Sequence, residues 1–236
     1  MRLLLLRHGQ THGNTSGALD TAIPGLELTD LGRRQAEAAA RALAQEPIER
    51  IFVSPTHRTR QTATPLAEEL GLELDVLDGL REIKAGDYEM ATDHDSVLGY
   101  IGVVADWIEG RLETRMPGGE TGHEYLARYD AAIAEVAATG AACALVVSHG
   151  AAIRTWVGSR AADASHHDMA AAGMHNTACI EVSGDPRSGW SVVSWTPDPV
   201  GGAFLDDTDA PDPTGLGSGI DEALAGPEDE GNAENA

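Results

Sequence analysis

Ala144-Leu145-Val146-Val147-Ser148-His149-Gly150 is the stretch that sets the architecture of this chain. A short continuous apolar run, closed by a polar residue and a glycine, reads as a parallel strand covered on both faces. The same pattern opens the chain, where Leu3-Leu4-Leu5-Leu6 runs into Arg7-His8-Gly9. Arg50 to Ser54 is a third such strand, halted by Pro55. Between these lie helical stretches. Thr29 to Gln45 has Thr29 as N-cap and an alanine-rich body. Another helix follows Pro55 and stops at Leu70-Gly71, where glycine suits the C-terminal turn. Ser96 to Leu112 and Thr121 to Ala138 are two more, separated by Pro117-Gly118-Gly119, and Ala151 to Val157 opens the last. Leu74 to Leu77 reads as a short strand. Asn176 to Ser183 and Trp190 to Trp195 alternate like neighbouring strands joined by Gly184-Asp185-Pro186. The order β-α-β-α-β-α-α-β-α-β-β predicts a three-layer α/β/α fold around a doubly wound, mostly parallel sheet. Such sheets bind ligands beyond the carboxyl ends of their strands. Arg7-His8-Gly9, the segment after Ser54, and His149-Gly150 all fall at such ends.

The composition narrows the function. A net charge of -22 argues against nucleic acid or an anionic membrane as partner. Lys84 is the single lysine, so nearly all positive charge is guanidinium, the group whose fork matches phosphate oxygens. Aromatic residues make up only 4%, which predicts a core of Leu, Val, Ile and Ala, with Trp107, Trp156, Trp190 and Trp195 as packing residues. No stretch approaches transmembrane length, and the apolar run near Met1 is too short for a signal peptide. Cys143 and Cys179 both sit in apolar runs and read as buried free thiols. These features predict a cytoplasmic protein. From Pro197 onward the chain carries eleven acids and no Lys or Arg, and is rich in Gly, Pro and Ala. Such a segment buries too little apolar surface to offset its ordering entropy. The expected organisation is therefore a domain over residues 1–196 and a disordered acidic tail over 197–236.

The residues that carry chemistry sit at the strand ends. A histidine can attack phosphorus through one ring nitrogen if a fixed acceptor holds the proton of the other. His8 is placed for this, with Arg7 beside it for the phosphoryl oxygens and Gly9 for a tight turn. Further along come Ser54-Pro55-Thr56-His57-Arg58-Thr59-Arg60-Gln61-Thr62, then Leu80-Arg81-Glu82 with Gly86-Asp87-Tyr88-Glu89, then Val146-Val147-Ser148-His149-Gly150. In this order and spacing the set closely resembles the histidine phosphatase superfamily, also called the phosphoglycerate mutase-like family. The resemblance spans residues 1 to about 196. It includes Leu28-Thr29-Asp30-Leu31-Gly32, Pro117-Gly118-Gly119-Glu120 and Asn176-Thr177.

That resemblance implies a role for each position. His8 is the nucleophile that becomes phosphorylated. Arg7, Asn14, Arg58 and His149 bind the phosphoryl oxygens, with His149 also counted among the catalytic residues. Glu82 is the general acid for the leaving oxygen and then the base for water. Fixed cationic donors stabilise the spread charge of the transferred group, so no metal or cofactor is required. The implied partner is a small phosphorylated substrate, and a homodimer is left open. Two features depart from the family pattern. Met90 stands where the family often has glycine, and the loop Leu19-Asp20-Thr21-Ala22-Ile23-Pro24-Gly25 is unusual in detail. His12 and His57 are expected to be exposed, and Arg60 and Arg154 to be structural ion-pair partners. His166, His167, Asp168 and His175 invite a metal reading, but they lack the i, i+4 histidine spacing of a helical zinc motif. The expected activity is phosphomonoester hydrolysis. The alternatives are a cofactor-dependent phosphoglycerate mutase and, more remotely, a non-catalytic protein that binds phosphorylated ligands. The interval Ile83 to Met116 holds only Lys84, Arg111 and Arg115 as bases, too few to bind a second phosphate as a mutase must.

Overall fold

The computed structural model describes residues 1–164, 169 and 173–215. Its centre is a six-stranded sheet of β1 (Arg2–Arg7), β2 (Arg50–Val53), β3 (Leu74–Val76), β4 (Cys143–Ser148), β5 (Cys179–Asp185) and β6 (Gly189–Thr196), in the order β3-β2-β4-β1-β5-β6. The first four strands of that order run parallel, while β5 pairs antiparallel with β1 and β6 pairs antiparallel with β5. The described helices are α1 (His12–Ser16), α2 (Asp30–Leu43), α3 (His57–Leu70), α4 (His94–Ile108), α5 (Gly122–Ala138) and α6 (Gly150–Arg160).

The apolar runs divide between the two faces residue by residue. Leu4 and Leu6 of β1, Ile51 and Val53 of β2, and Leu145 and Val147 of β4 pack with α2 and α3 on one face. Leu3, Leu5, Phe52, Ala144 and Val146 point the other way, into a larger cluster with α4, α5 and α6. Successive side chains of a strand alternate faces, so helices on both sides demand an uninterrupted apolar run. The three-layer expectation holds. The larger cluster is mostly Leu, Val, Ile and Ala, as expected, but within it Trp107, Tyr125, Tyr129, Trp156 and Trp190 form a chain of rings with centroids 5.7–5.8 Å apart. The low aromatic share of the sequence conceals this concentration.

The chain winds from β1 outward to β3 over one face and returns to β4 over the other. β4 is thereby inserted between β1 and β2, with Arg7 opposite Ser148 and Val53 opposite Val147. Three strand ends therefore meet at one topological switch point, where the sequence motifs lie.

The segment after Pro197 differs from expectation as far as Gly215. Val200 N–H donates to Thr177 O, Gln35 Nε2 donates to Leu205 O, Gln10 Nε2 to Asp207, and Met174 N–H to Gly215 O. Asp212 and Thr214 are buried. The segment is held by hydrogen bonds and an ion pair to buried groups of the domain, whereas composition weighs only apolar burial. Residues 216–236 of the acidic tail lie outside the described residues, as do His166, His167 and Asp168. His175 is described and lies 3.1 Å from Asp206. Cys143 and Cys179 are buried and unbonded. No helix among the described residues is long and apolar enough to cross a membrane.

Trp156 tests the ring chain. It is 1% exposed and donates its indole N–H to Asp130. Trp156→Ala is expected to cost roughly 3 to 5 kcal/mol in urea unfolding. Val193→Ala, on the exposed face of edge strand β6, should change stability by no more than about 0.5 kcal/mol. Equal losses would show that the rings are not the centre of the core.

Candidate active site

His8 follows β1 directly, and its backbone is clamped from both sides. Its N–H donates to Ser148 O, and its carbonyl accepts from Thr177 N–H and Asn176 Nδ2. The ring Nδ1 lies 2.8 Å from Gly9 O. A carbonyl can only accept, so Nδ1 carries the proton and the lone pair is on Nε2. Burial, followed by the positive charges of Arg58 and Arg7, holds the imidazole pKa well below its ordinary value. The ring is thus neutral, with one free basic nitrogen. Gly9 allows the turn because a Cβ there would come within 2.7 Å of Gly32 O.

Arg58 stands in the first turn of α3, and Thr62, one turn on, binds Gly9 N–H and Arg58 O through its hydroxyl. Arg58 Nε donates to His149 Nδ1 at 3.3 Å, and His149 Nε2 lies 2.8 Å from Ser54 Oγ. Since the guanidinium can only donate, His149 carries its proton on Nε2 and gives it to Ser54. The His8 and His149 rings meet edge to face with centroids 5.2 Å apart. Burial, followed by the charge of Arg58, pushes the His149 pKa far down. In this state the ring is therefore neutral and the positive charge comes from the two arginines. The other nitrogens of Arg58 meet Asp20, Nη1 its carboxylate at 3.2 Å and Nη2 its carbonyl at 3.0 Å.

Glu82 is buried, and its Oε1 accepts from Ile83 N–H at 2.9 Å and from Ala152 N–H, near the start of α6, at 2.8 Å. Oε2 has no hydrogen bond among the described residues. Burial raises the carboxyl pKa, outweighing those two amides and the charges of Arg58 and Arg7. A protonated Oε2 is what a general acid needs. The other two glutamates near the site, Glu89 and Glu120, are already committed. Glu89 takes Thr21 N–H, Thr21 Oγ1 and Ala22 N–H, so it pins the loop that contains Asp20. Glu120 binds Arg128, whose guanidinium also donates to the carbonyls of Gly79, Arg81 and Glu82. Arg128 thereby fixes the backbone that carries Glu82. Met90 has φ 62°, the left-handed conformation that glycine adopts without strain, so the loop keeps the backbone of a glycine despite the side chain.

His8, Asn14, Arg58 and Glu82 surround one cavity of about 10 Å³, which Thr214 also lines. Glu82 further borders an adjoining cleft of about 360 Å³, lined by Thr21, Arg81, Lys84 and Glu89 among others. Arg7 is fully buried, with Nη1 and Nη2 on the two carboxylate oxygens of Asp212 at 2.6 and 2.7 Å, and Asn14 Nδ2 donates to the same carboxylate at 2.7 Å. Burial alone would raise the Asp212 pKa, but the Arg7 charge and these bonds hold it below the ordinary value. All six residues expected from the sequence thus gather at one end of the sheet.

Sequence reasoning missed Ser54 and Arg128 as supports of this site, the pairing of Asp20 with Arg58, and the docking of Asp212 and Thr214 against it. Ser54 carried a signal, since it directly follows β2. Arg128 carried none, because its partners are backbone carbonyls distant in sequence. Arg154 corrects a smaller expectation. It is buried but makes no ion pair among the described residues; its Nη2 donates to Thr214 O, and burial lowers its pKa to about 10. His12 and His57 are exposed, as expected.

This geometry has counterparts in known proteins. Glucosyl-3-phosphoglycerate phosphatase of Mycobacterium tuberculosis is 32% identical over 210 residues, covering 82% of this chain and 91% of the relative. A solved structure of the mycobacterial glucosyl-3-phosphoglycerate phosphatase in complex with VO3 superposes with a TM-score of 0.70 at 31% identity, covering 83% of this chain and 98% of that one. A PE-PGRS family protein of Mycobacterium tuberculosis is 34% identical across 94% of this chain, and the match spans only 40% of that relative's length. The sequence profile of the histidine phosphatase superfamily, branch 1, matches residues 3–198. A profile match over most of the chain, together with a relative 32% identical across most of both chains, shows that the chain belongs to the histidine phosphatase superfamily.

Proposed function

We propose that this chain is a metal-independent phosphomonoesterase that hydrolyses a small phosphorylated metabolite through a phosphohistidine on His8. The observation that carries this reading is the placement of Glu82. Glu82 keeps one uncommitted oxygen and lines both the small cavity beside His8 and the larger outer cleft. With the phosphoryl group in the inner cavity and the alcohol in the cleft, the bridging oxygen falls next to that carboxyl.

In the first half-reaction the Nε2 lone pair of His8 forms a P–N bond as the bond to the leaving oxygen breaks. Oε2–H of Glu82 protonates that oxygen. In the second half-reaction the Glu82 carboxylate takes a proton from water, the hydroxide attacks phosphorus, and the P–N bond breaks to regenerate neutral His8 and free phosphate. Arg7, Arg58 and Asn14 hold the equatorial oxygens throughout, and His149 positions Arg58 and closes the wall behind His8. The cleft volume of about 360 Å³ suits a metabolite-sized alcohol. The similarity to glucosyl-3-phosphoglycerate phosphatase supports a phosphorylated metabolite as substrate. Two buried, unbonded thiols support a cytoplasmic setting.

Hydrolysis is favoured over mutase chemistry by the fate of the bases between Glu82 and Glu120. Arg111 pairs with Asp106 and Glu109, and Arg115 with Glu124, all on the surface. Of the three bases counted in that interval, Lys84 alone lines the cleft, joined by Arg81 and opposed by Glu89. A mutase needs more positive charge there to hold a bisphosphate while it turns.

Three outcomes follow. His8→Ala should lower kcat by roughly 10³-fold or more, and labelled substrate should leave an acid-labile phosphoprotein in the wild type only. Substantial turnover by a folded His8→Ala protein removes the mechanism. Glu82→Gln should slow an alkyl phosphate by about 10² to 10⁴-fold but p-nitrophenyl phosphate far less, since its phenolate departs unaided. Equal slowing of both would leave Glu82 a structural role only. The third outcome concerns pH. A carboxyl whose folded pKa is raised is neutral in both states at low pH. It then destabilises the fold as pH rises from the ordinary glutamate range through the folded value. Glu82→Gln, which keeps an acceptor for Ile83 and Ala152, should therefore melt above the wild type at about pH 8 and together with it at about pH 4. A lower melting temperature at the higher pH would show that the carboxylate form is the one the fold stabilises.

A further inference from the structure

Three donors that would hold a phosphoryl group, two on Arg7 and one on Asn14, are occupied by Asp212. The carboxylate meets Arg7 through two parallel bonds, the fork geometry in which guanidinium also takes phosphate. Thr214 follows, accepting from Arg7 Nη2 at 3.0 Å and lining the cavity beside His8 and Arg58. The backbone of this segment lies directly on Arg7, since a Cβ on Gly215 would come within 2.0 Å of Nη1. What is left is about 10 Å³, room for roughly one water molecule and not for a phosphoryl group. One donor stays unused, for Arg7 Nε is buried without a partner among the described residues. Two carboxylate oxygens on Nη1 and Nη2 cannot also serve it, whereas a phosphoryl group brings three.

We propose that residues 206–215 form an autoinhibitory strap, in which Asp212 occupies the phosphate seat on Arg7 and Asn14 as an internal surrogate of the substrate. A phosphate monoester, or inorganic phosphate, enters only when the strap lifts. This rests on the reading of the inner cavity as the phosphoryl seat. The strap is held mainly by polar contacts, Gln10 with Asp207 and Met174 N–H with Gly215 O, and the residue just before it by Gln35 with Leu205 O. Segments anchored in this way open locally without unfolding the domain. The measured affinity for phosphate is then the intrinsic affinity reduced by the fraction of molecules with the strap open.

The test compares the full chain with full-length Asp212→Ala. Calorimetric titration with inorganic phosphate should give a Kd about tenfold or more lower in the variant, in keeping with an open fraction of a tenth or less in the wild type. KM for p-nitrophenyl phosphate should fall in parallel, with kcat within about twofold. An unchanged or weaker Kd in the variant overturns the strap. If turnover then persists, the hydrolase reading stands without it. Phosphate binding to neither protein overturns the strap and the reading of the cavity together. Hydrogen exchange on the wild type keeps the proposal testable should the variant not fold. Saturating phosphate should speed exchange across residues 206–215, and slowed or unchanged exchange there would mean that Asp212 braces Arg7 with phosphate bound.

Discussion

Two buried guanidinium groups govern this structure. Arg7 and Arg58 are 0% and 2% exposed, and a charge withdrawn from water so completely must find an anion or fixed dipoles. Each has found a carboxylate, Asp212 for Arg7 and Asp20 for Arg58. Those carboxylates come from the two most irregular parts of the chain around the site, the C-terminal segment and the loop after α1. The positive charge therefore organises its surroundings as well as waiting for a ligand. It draws in loops that would otherwise have little reason to be ordered, and it adds to burial in keeping both nearby imidazoles neutral.

The sheet makes that concentration of charge possible. Parallel pairing of β1 with β4 and of β4 with β2 brings three strand ends to a common edge. Their backbone groups are spoken for, as in the bond from His8 N–H to Ser148 O, so the side chains beyond them stand on a rigid base. Burial of the strands on both faces holds this base in place. Glu82 has no strand beneath it and is built differently, through Arg128 gripping three carbonyls of its loop and Ala152 presenting an amide from α6. His8 depends on the sheet, and Glu82 depends on a helix-borne arginine.

What could be read in the sequence follows from how local each signal is. The strands were legible because double burial imposes an unbroken apolar run, and His8, Arg58 and His149 because they sit at the ends of such runs or just beyond. The ring chain from Trp107 to Trp190 was hidden because composition averages over the molecule and packing does not. The docking of Asp212 was hidden for a related reason. Its neighbours in sequence are acidic, glycine-rich and proline-rich, and the partner that orders it lies at the other end of the chain. The grip of Arg128 on backbone carbonyls could not be read either, since every residue offers a carbonyl and none advertises it.

The bond between His8 Nδ1 and Gly9 O has a consequence of its own. Most enzymes that use a histidine orient it with a side chain borrowed from elsewhere, so the ring's readiness depends on a second segment arriving in place. Here the orienting acceptor is the very next residue along the chain, in a turn pressed against Gly32. His8 carries its own alignment, because the contact that sets its tautomer involves neither the loop with Asp20 nor the C-terminal segment. Substrate preference and access can then drift through changes in those segments while the reacting nitrogen requires no readjustment, a separation that lets one catalytic core accept many different coverings.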